Sequence, residues 1–175
     1  PQLSEMTLES IEDSFTRIER KKGESLLMQG EVYRNLATLQ FLAFCSKRRN
    51  FDRFTRWATL QTARLNIFLN RPKASKEVEN LAKTWQSLMP PDGEEFFKVT
   101  EDTAYTEIYL HCPLRGSGDV DACYKLMNYD RKLMEKVGGQ LVVLESQSNS
   151  GKPFCSLAIR KKRASIKDLI PAHEK

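Results

Sequence analysis

Residues 97–110 read FKVTEDTAYTEIYL, and their alternation of apolar and polar side chains predicts two β-strands. The strands are expected at 97–101 and 105–110, joined by a tight turn at Asp102-Thr103. Before this stretch, apolar residues recur every three or four positions, as they do in helices. The period changes at the break Pro90-Pro91-Asp92-Gly93, which therefore divides a helical part from a strand-containing part.

The first half of the chain is predicted to be helical. Helices are expected over 24–49, 51–70 and 75–88, and Asn50 is the expected N-cap of the second. A further stretch, 4–20, has the apolar period of an amphipathic helix and could either pack on the body of the protein or lie against a partner chain. Its apolar residues include Met6, Ile11, Phe15 and Ile18.

The residues after the two strands predict one more helix and two more strands. The helix should cover 119–137 and end at Gly138-Gly139, because glycine adopts the left-handed conformation common at helix ends. The strands are expected at 140–145 and 154–160, on either side of a polar loop, 146–152. Helices followed by a small, largely antiparallel sheet make an α+β protein.

Length and composition fit a single domain of residues 1–175. We divide it into a helical part, 1–92, a strand-strand-helix-strand-strand part, 93–163, and a tail, 164–175. The hydrophobic content is 40%, and no apolar run approaches the roughly 20 residues that a membrane span needs, so no membrane association is expected. Four widely spaced cysteines do not form a disulfide scaffold, which favours a reducing, cytoplasmic location.

The net charge of +5 is mild and has local peaks at 20–22, 47–49 and 160–163. Such patches can neutralise phosphates. They are equally typical of helix ends, where cations near the C-terminus are favoured by the helix dipole. We prefer that interpretation and do not expect nucleic acid as a partner. Tyr and Phe residues on the helix faces favour a homodimer.

Residues 111–116 read HCPLRG and begin the part of the chain that is richest in reactive side chains. Cys112 ends the second predicted strand, and Cys123 lies in the first turns of the next helix, where the helix dipole lowers a thiol pKa. Cys155, on the last strand, should meet them at one end of the sheet. Its apolar neighbours indicate a packing role, as they do for Cys45 beside Phe44.

A nucleophilic cysteine needs a lowered pKa and a base close to it. Cys112, near a helix N-terminus and Arg115, is the first candidate, and Cys123 is the second. The available acid-base groups are His111, Asp119, Asp130 and Glu145. The alternative is that the cysteines are only small buried hydrophobic residues.

Zinc is the cofactor that this set of side chains could hold, since three thiols and His111 would complete a tetrahedral site. The spacing disfavours a metal site, because ten residues separate Cys112 from Cys123 and no Cys-x-x-Cys pair is present. His111 and Cys112 are neighbours, so on a strand they would point to opposite faces. Zinc held through Cys112 and Cys123 stays open as an alternative.

The turn from Arg115 to Asp119 has two interpretations. Gly116 and Gly118 could present backbone N–H groups to an anion such as a carboxylate, with Arg115 as a clamp. Alternatively, the segment is only a strand-to-helix turn with Asp119 as the N-cap.

From about Phe97 to Arg160 the order of features resembles the L-2-amino-thiazoline-4-carboxylic acid hydrolase family and, more distantly, the 4-vinyl reductase and haem-NO-binding-like domains. The shared order is two strands ending in Cys112-Pro113, a helix bearing Cys123 and Asp130, and a hairpin whose last strand carries Cys155. The resemblance implies a hydrolase that acts on a C–N bond and opens the ring of a small amino-acid-like heterocycle.

In such a hydrolase, Cys112 or Cys123 would be the nucleophile or a metal ligand, and Asp130 or His111 the acid-base partner. Arg115, with Gly116 and Gly118, would bind the substrate carboxylate.

The related domains imply an alternative, a non-catalytic binding or sensor domain for a hydrophobic ligand or a tetrapyrrole. Its pocket is expected between the sheet and the aromatic helix faces, with Trp57 as a ligand-contacting residue. The other aromatic residues expected there are Phe51, Phe54 and Phe68.

Overall fold

The computed structural model describes residues 37–89 and 94–175. Its four strands form one antiparallel sheet with the order β1-β2-β4-β3. The strands are β1 (Glu94–Val99), β2 (Thr103–Ile108), β3 (Gly139–Glu145) and β4 (Cys155–Lys161). Together with the helices, this sheet confirms the predicted α+β class.

Six helices accompany the sheet in the described part of the chain. They are α1 (37–46), α2 (Asp52–Asn70), α3 (Val78–Gln86), α4 (Val120–Leu126), α5 (Asn128–Val137) and α6 (Gln147–Ser150). Short 3-10 turns occur at Arg49–Phe51 and Ala172–Glu174. The predicted amphipathic stretch 4–20 and the first part of the predicted helix 24–49 lie outside the described residues.

Two local predictions about helix ends have different outcomes. Asn50 is not the N-cap of α2, because a 3-10 turn precedes the helix and Phe51 takes the cap position without a side-chain cap. Gly138 ends α5 as predicted, in the left-handed conformation with φ 96°. The expected helix 119–137 is two helices, which meet at Met127, where ψ is 0°.

The first hairpin begins earlier than its sequence period indicates. β1 covers Glu94–Val99 and contains a register shift between Phe96 and Lys98. One residue of β1 therefore has no paired residue on β2, and the alternating pattern is interrupted there. The turn is closed by Thr100, whose N–H donates to the Thr103 carbonyl at 2.8 Å. The Thr103 N–H in turn donates to Thr100 Oγ1 at 3.0 Å.

The main core lies between one face of the sheet and helices α3 and α5. Alternation along β3 sends Leu141 and Val143 into this core, whereas Val142 faces the other side of the sheet. Trp85 of α3 is completely buried there. The remaining large members of the core are Leu81, Met134, Leu157 and Ile159.

Residues 164–175 are predicted from the sequence to be a tail, but they pack against the rest of the protein. Leu169 is buried with Val142 and Ala158 on the second face of the sheet. Arg160 anchors the segment, because two of its nitrogens each donate to a carboxylate oxygen of Asp168 at 2.6 Å.

The C-terminal 3-10 turn lies between β3 and α4. The His173 ring stacks on the Tyr124 ring with the centroids 4.0 Å apart, and Lys175 Nζ donates to the Leu144 carbonyl at 2.8 Å. These contacts close one side of the site described below. Among the residues that the structure describes, no helix is both long enough and apolar enough to cross a membrane.

Candidate functional site

Three cysteines meet at one end of the sheet, as the sequence predicts. Cys155 begins β4 and pairs with Ile108 at the end of β2, only four residues before Cys112. The thiols are close enough to influence one another, since the charge of Cys123 raises the pKa of Cys112 and both raise the pKa of Cys155. Cys45 is buried elsewhere, consistent with its expected packing role. All four cysteines are free thiols.

The segment predicted as a polar loop, 146–152, contains α6 and supports this cluster. Ser146 and Asn149 form a capping box, in which the Ser146 N–H donates to Asn149 Oδ1 at 3.1 Å. Gln147 is fully buried, and its N–H donates to the Cys155 sulfur at 3.3 Å. Sequence reasoning missed these residues, although the Ser-x-x-Asn spacing at 146–149 is a signal for a helix N-terminus.

Burial dominates the chemistry of all three thiols. It raises the pKa of Cys112 to about 12 and also raises the pKa of Cys155 well above the usual range. The pKa of Cys123 is raised as well, although a hydrogen bond with Ser146 opposes the effect. The predicted lowering of a thiol pKa near the helix N-terminus is therefore wrong, because loss of water outweighs the helix dipole.

Asp130 lies next to the thiols and is itself buried. Its pKa is raised from 3.8 to about 6 by burial, an effect that the neighbouring Trp85 indole partly offsets. The charge of Asp130 raises the pKa of both Cys123 and Cys155. A carboxyl group with a pKa near 6 can exchange a proton close to neutral pH, which suits the acid-base role expected for Asp130.

Cys123 lines a cavity of about 200 Å³, which we call the Cys123 cavity. It lies between α4, β3 and the C-terminal segment. The other polar lining residues are Tyr124, Arg131, Ser146, His173 and Glu174. The apolar wall consists of Val120, Leu141, Val142, Val143, Ile166, Pro171 and Ala172.

Arg131 and His173 are functional candidates that sequence reasoning missed. The guanidinium of Arg131 lies 3.9 Å from the centroid of the Tyr124 ring, and the same ring stacks on His173. Tyr124 thus holds a cation and an imidazole on one wall of the cavity. The chain has only two histidines, and this rarity was the one signal in the sequence that could have pointed to His173. Because His173 lies in the segment expected to be a tail, no pattern in the sequence placed it at the same cavity as Cys123.

Cys112 and His111 lie outside the residues that line the Cys123 cavity. Cys112 packs against the cluster that contains Leu114 and Cys123. His111 is partly buried on the connection that follows β2. Of the two nucleophile candidates, Cys123 is therefore the one that lines this cavity.

The turn after Cys112 uses its backbone N–H groups internally. The Gly116 N–H donates to the Gln147 carbonyl and the Gly118 N–H donates to the Ser148 carbonyl, both at 2.9 Å. The anion hypothesis assigned these two N–H groups to a ligand, but both already donate to carbonyls of the protein itself. Arg115 is exposed, and its Nε donates to the Gly151 carbonyl at 3.0 Å.

The alternative interpretation of this turn is confirmed. Asp119 is the N-cap of α4, because its Oδ1 accepts the Ala122 N–H at 2.8 Å. The turn thus connects a strand to a helix and ties α4 to α6.

Trp57 lies on the outer face of α2, with 58% of its surface exposed. The prediction of a pocket between the sheet and the side chains of Phe51, Phe54, Trp57 and Phe68 is therefore wrong. These side chains are exposed on the side of α2 that points away from the sheet. The inner face of α2 carries Thr55, Thr59 and Ala63 instead, and these residues are buried. Their small side chains allow α2 to pack closely on α5.

The residues present do not fit a zinc ion. Within 37–89 and 94–175, no group of three or more His, Cys, Asp and Glu side chains is arranged to hold a metal. Zinc binds thiolates, so it would also have to displace the protons that burial favours on the thiols of Cys112 and Cys123.

A second groove, of about 760 Å³, adjoins the Cys123 cavity. Tyr124, Arg131, Leu141, Val142 and Ile166 line both spaces. The cavity and the groove therefore lie side by side along β3.

Comparison of the chain with protein-family models, with curated proteins and with solved structures finds no match.

Proposed function

We propose that this protein is a small-molecule hydrolase of the aminothiazoline-carboxylate type and that the Cys123 cavity is its active site. The observation that carries the proposal is the presence of a thiol, a guanidinium and an imidazole around one cavity, from Cys123, Arg131 and His173. These groups supply a nucleophile, a partner for a carboxylate and a proton acceptor. The resemblance to the hydrolase family suggests a C–N bond of an amino-acid-like heterocycle as the target.

The size and lining of the cavity support a small substrate. Pockets for drug-sized ligands occupy roughly 300–1,000 Å³, and the Cys123 cavity, at about 200 Å³, is smaller. Its wall is largely apolar, and its polar lining includes Cys123, Arg131 and His173. Such a site suits a compact ring that carries one charged group.

The raised pKa of Cys123 determines how the reaction would begin. Since the resting thiol is protonated, it must lose its proton as it attacks. We assign the acceptor to His173 or to the carboxylate of Asp130, which is charged above pH about 6. The sulfur then adds to the electrophilic carbon of the substrate C=N unit.

The remaining steps consume one water molecule. The protonated base returns its proton to the substrate nitrogen as the C–N bond breaks. Water then attacks the carbon bound to sulfur, the ring-opened product leaves, and the Cys123 thiol regains its proton. Arg131 would hold the substrate carboxylate throughout, by charge-assisted hydrogen bonds.

This proposal changes the roles that the sequence suggested. Cys123 replaces Cys112 as the preferred nucleophile, and Arg131 replaces Arg115 as the carboxylate partner. His173 replaces His111, whereas Asp130 keeps its acid-base role.

The test uses 2-amino-thiazoline-4-carboxylate as the probe and mass spectrometry to detect ring opening. We expect turnover by the wild type and by Cys112→Ser, and none by Cys123→Ser. The two variants make the same chemical change at neighbouring sites, and circular dichroism must show that both are folded. Turnover that survives in folded Cys123→Ser contradicts the assigned nucleophile. Failure of the wild type to open or bind the probe contradicts the proposed function.

A non-catalytic binding domain is the second candidate. It is favoured by the raised pKa values of all three thiols and by the larger groove next to the cavity, which could take a bigger ligand such as a tetrapyrrole. Saturable binding of the probe without ring opening, weakened by Arg131→Ala, would support this candidate. Co-purification of a chromophore with the protein would support it independently.

We also propose a reducing, cytoplasmic location. It is supported by the four free cysteines. The expected homodimer stays a prediction, which sedimentation of the full chain can test.

A further inference from the structure

The outer face of α2 is unusually apolar for a protein surface. Large side chains follow one another along the helix and onto α1, and each is between 37% and 69% exposed. They are Phe41, Phe51, Phe54, Trp57, Leu65, Phe68 and Leu69. A group of large exposed apolar side chains of this kind marks an interaction site. We call it the aromatic face.

The aromatic side chains of this face are already in contact with one another. Phe54 lies at the centre, with its ring centroid 5.9 Å from that of Phe41 and 6.0 Å from that of Trp57. Phe51 contacts it from a third side at 6.4 Å. The face therefore has a defined shape that a partner could recognise.

The segment that carries most of the aromatic face is rich in basic residues and almost without acids. Residues 47–73 contain eight Lys and Arg residues and one acid, Asp52. All eight cations are exposed, whereas Asp52 pairs with Lys125 at 2.6 Å. An apolar stripe with a basic border fits an amphipathic partner with an acidic border.

The chain contains a sequence with this complementary character. Residues 4–20 hold five acidic residues and two arginines. Their apolar residues Leu8, Ile11, Phe15 and Ile18 are spaced by three, four and three positions. Phe54, Trp57, Leu65 and Phe68 are spaced by three, eight and three positions, which also places them on one side of α2.

We propose that residues 4–20 bind the aromatic face of the same chain. Residues 21–36 connect them to α1, and sixteen residues can span about 50 Å when extended. Helix α2, with 19 residues, is only about 28 Å long. The connection can therefore reach every part of the face, and it gives the segment an effective concentration of about a millimolar.

A second copy of the protein is a less suitable occupant. Two aromatic faces in contact would bring two arginine-rich segments together, and the like charges would repel. A nucleic acid would match the charge but would leave aliphatic residues such as Leu65 and Leu69 without an apolar partner.

Trp57 provides a direct probe of the proposal. The chain has two tryptophans, and Trp85 is fully buried, so acrylamide quenching in the full chain reports mainly on Trp57. We expect Trp57 to be protected in the wild type. The triple variant Ile11→Ser, Phe15→Ser, Ile18→Ser should increase quenching several-fold. Its matched control, Ser10→Ala with Ser14→Ala, should leave quenching unchanged. Free quenching of Trp57 in the wild type overturns the proposal.

A charge swap tests the electrostatic match with different variants. Arg53→Glu with Arg64→Glu should expose Trp57, and adding Glu9→Arg with Glu12→Arg to the same chain should restore protection. Failure to restore it in a folded protein contradicts the proposed pairing. Protection that increases with protein concentration, together with a dimer mass, would assign the face to a second copy. Protection lost after nuclease treatment would assign it to nucleic acid. Either result overturns binding within one chain.

Discussion

The carboxamide oxygen of Gln147 accepts the main-chain N–H of Cys112 at 3.1 Å, although the two residues are 35 positions apart. The same side chain donates from Nε2 to the Leu110 carbonyl at 2.7 Å. One buried glutamine thus satisfies two polar groups of the chain where it leaves β2. It also connects that segment to α6 and, through its own N–H, to Cys155. The cysteine cluster depends on this link.

Replacing Gln147 with Leu should destabilise the protein by about 2 kcal/mol or more, because a partly buried N–H and a partly buried carbonyl each lose their partner at about 1–3 kcal/mol. Urea denaturation followed by circular dichroism measures the change. Gln86→Leu is the matched control, since Gln86 is exposed at the end of α3 and should change stability by about 0.5 kcal/mol or less. Equal effects of the two substitutions would contradict the structural role of Gln147.

Asp130 should make stability depend on pH. Its carboxyl group binds a proton more tightly in the folded chain, with a pKa of about 6, than at its ordinary value of 3.8. The stabilising contribution of the protonated group is therefore complete below pH about 4 and is lost as pH rises through about 6.

The Asp130→Asn variant removes this titration and keeps a similar shape. Relative to the variant, the wild type should lose about 1.4 kcal/mol of unfolding free energy per pH unit between about 4 and 6, or on the order of 2–3 kcal/mol in total. Urea denaturation of both proteins at several pH values gives the difference. If that difference does not change with pH, Asp130 is not the buried acid described.

The three clustered thiols should differ in reactivity. Only the thiolate reacts with iodoacetamide, and burial raises the pKa of Cys112 to about 12. Cys123 should be alkylated first, because it lines a cavity and its Ser146 hydrogen bond opposes the rise in its pKa. Peptide mass spectrometry after timed labelling at pH 7.5 and 9 measures the order. Faster labelling of Cys112 than of Cys123 would contradict the assignment of the cavity.

Gly138→Ala should destabilise the protein for two reasons. Its φ of 96° is unfavourable for a residue with a side chain, and an added Cβ would lie 2.9 Å from the Ser75 carbonyl oxygen. Gly151→Ala is the matched control, since its φ is also positive at 67° but its Cβ would meet nothing within 4 Å. Thermal denaturation should show that the control loses about 1 kcal/mol of unfolding free energy and that Gly138→Ala loses about 1–3 kcal/mol more. Equal losses would exclude the steric contribution.

Much of the fold could be predicted from sequence because its signals are local. The alternation at 103–108 and the helical period at 52–70 each depend on residues that are close in the chain. Gly138 marks the end of α5 because its backbone conformation favours glycine there. The exact limits of β1 could not be predicted, since the irregularity between Phe96 and Lys98 depends on pairing with β2.

The candidate site could be predicted only in part. The approach of Cys112, Cys123 and Cys155 follows from the order of strands and helix. Which thiol borders a cavity depends on packing around each side chain, and the same is true of the pKa values. His173 joins the site only because the C-terminal segment packs beside β3 and α4. Arg131 joins it because α5 brings its guanidinium against the Tyr124 ring of α4.

The sequence by itself determined the α+β class, the succession of helices and strands, and the end of the sheet at which the cysteines gather. Each of these follows from side-chain period, from glycine and proline, or from chain connectivity. The tertiary structure alone decided that Cys123 lines the cavity, that Asp130 is buried, and that the aromatic face of α2 points outward. Burial and cavities arise from distant segments packed together, and no local pattern encodes that packing.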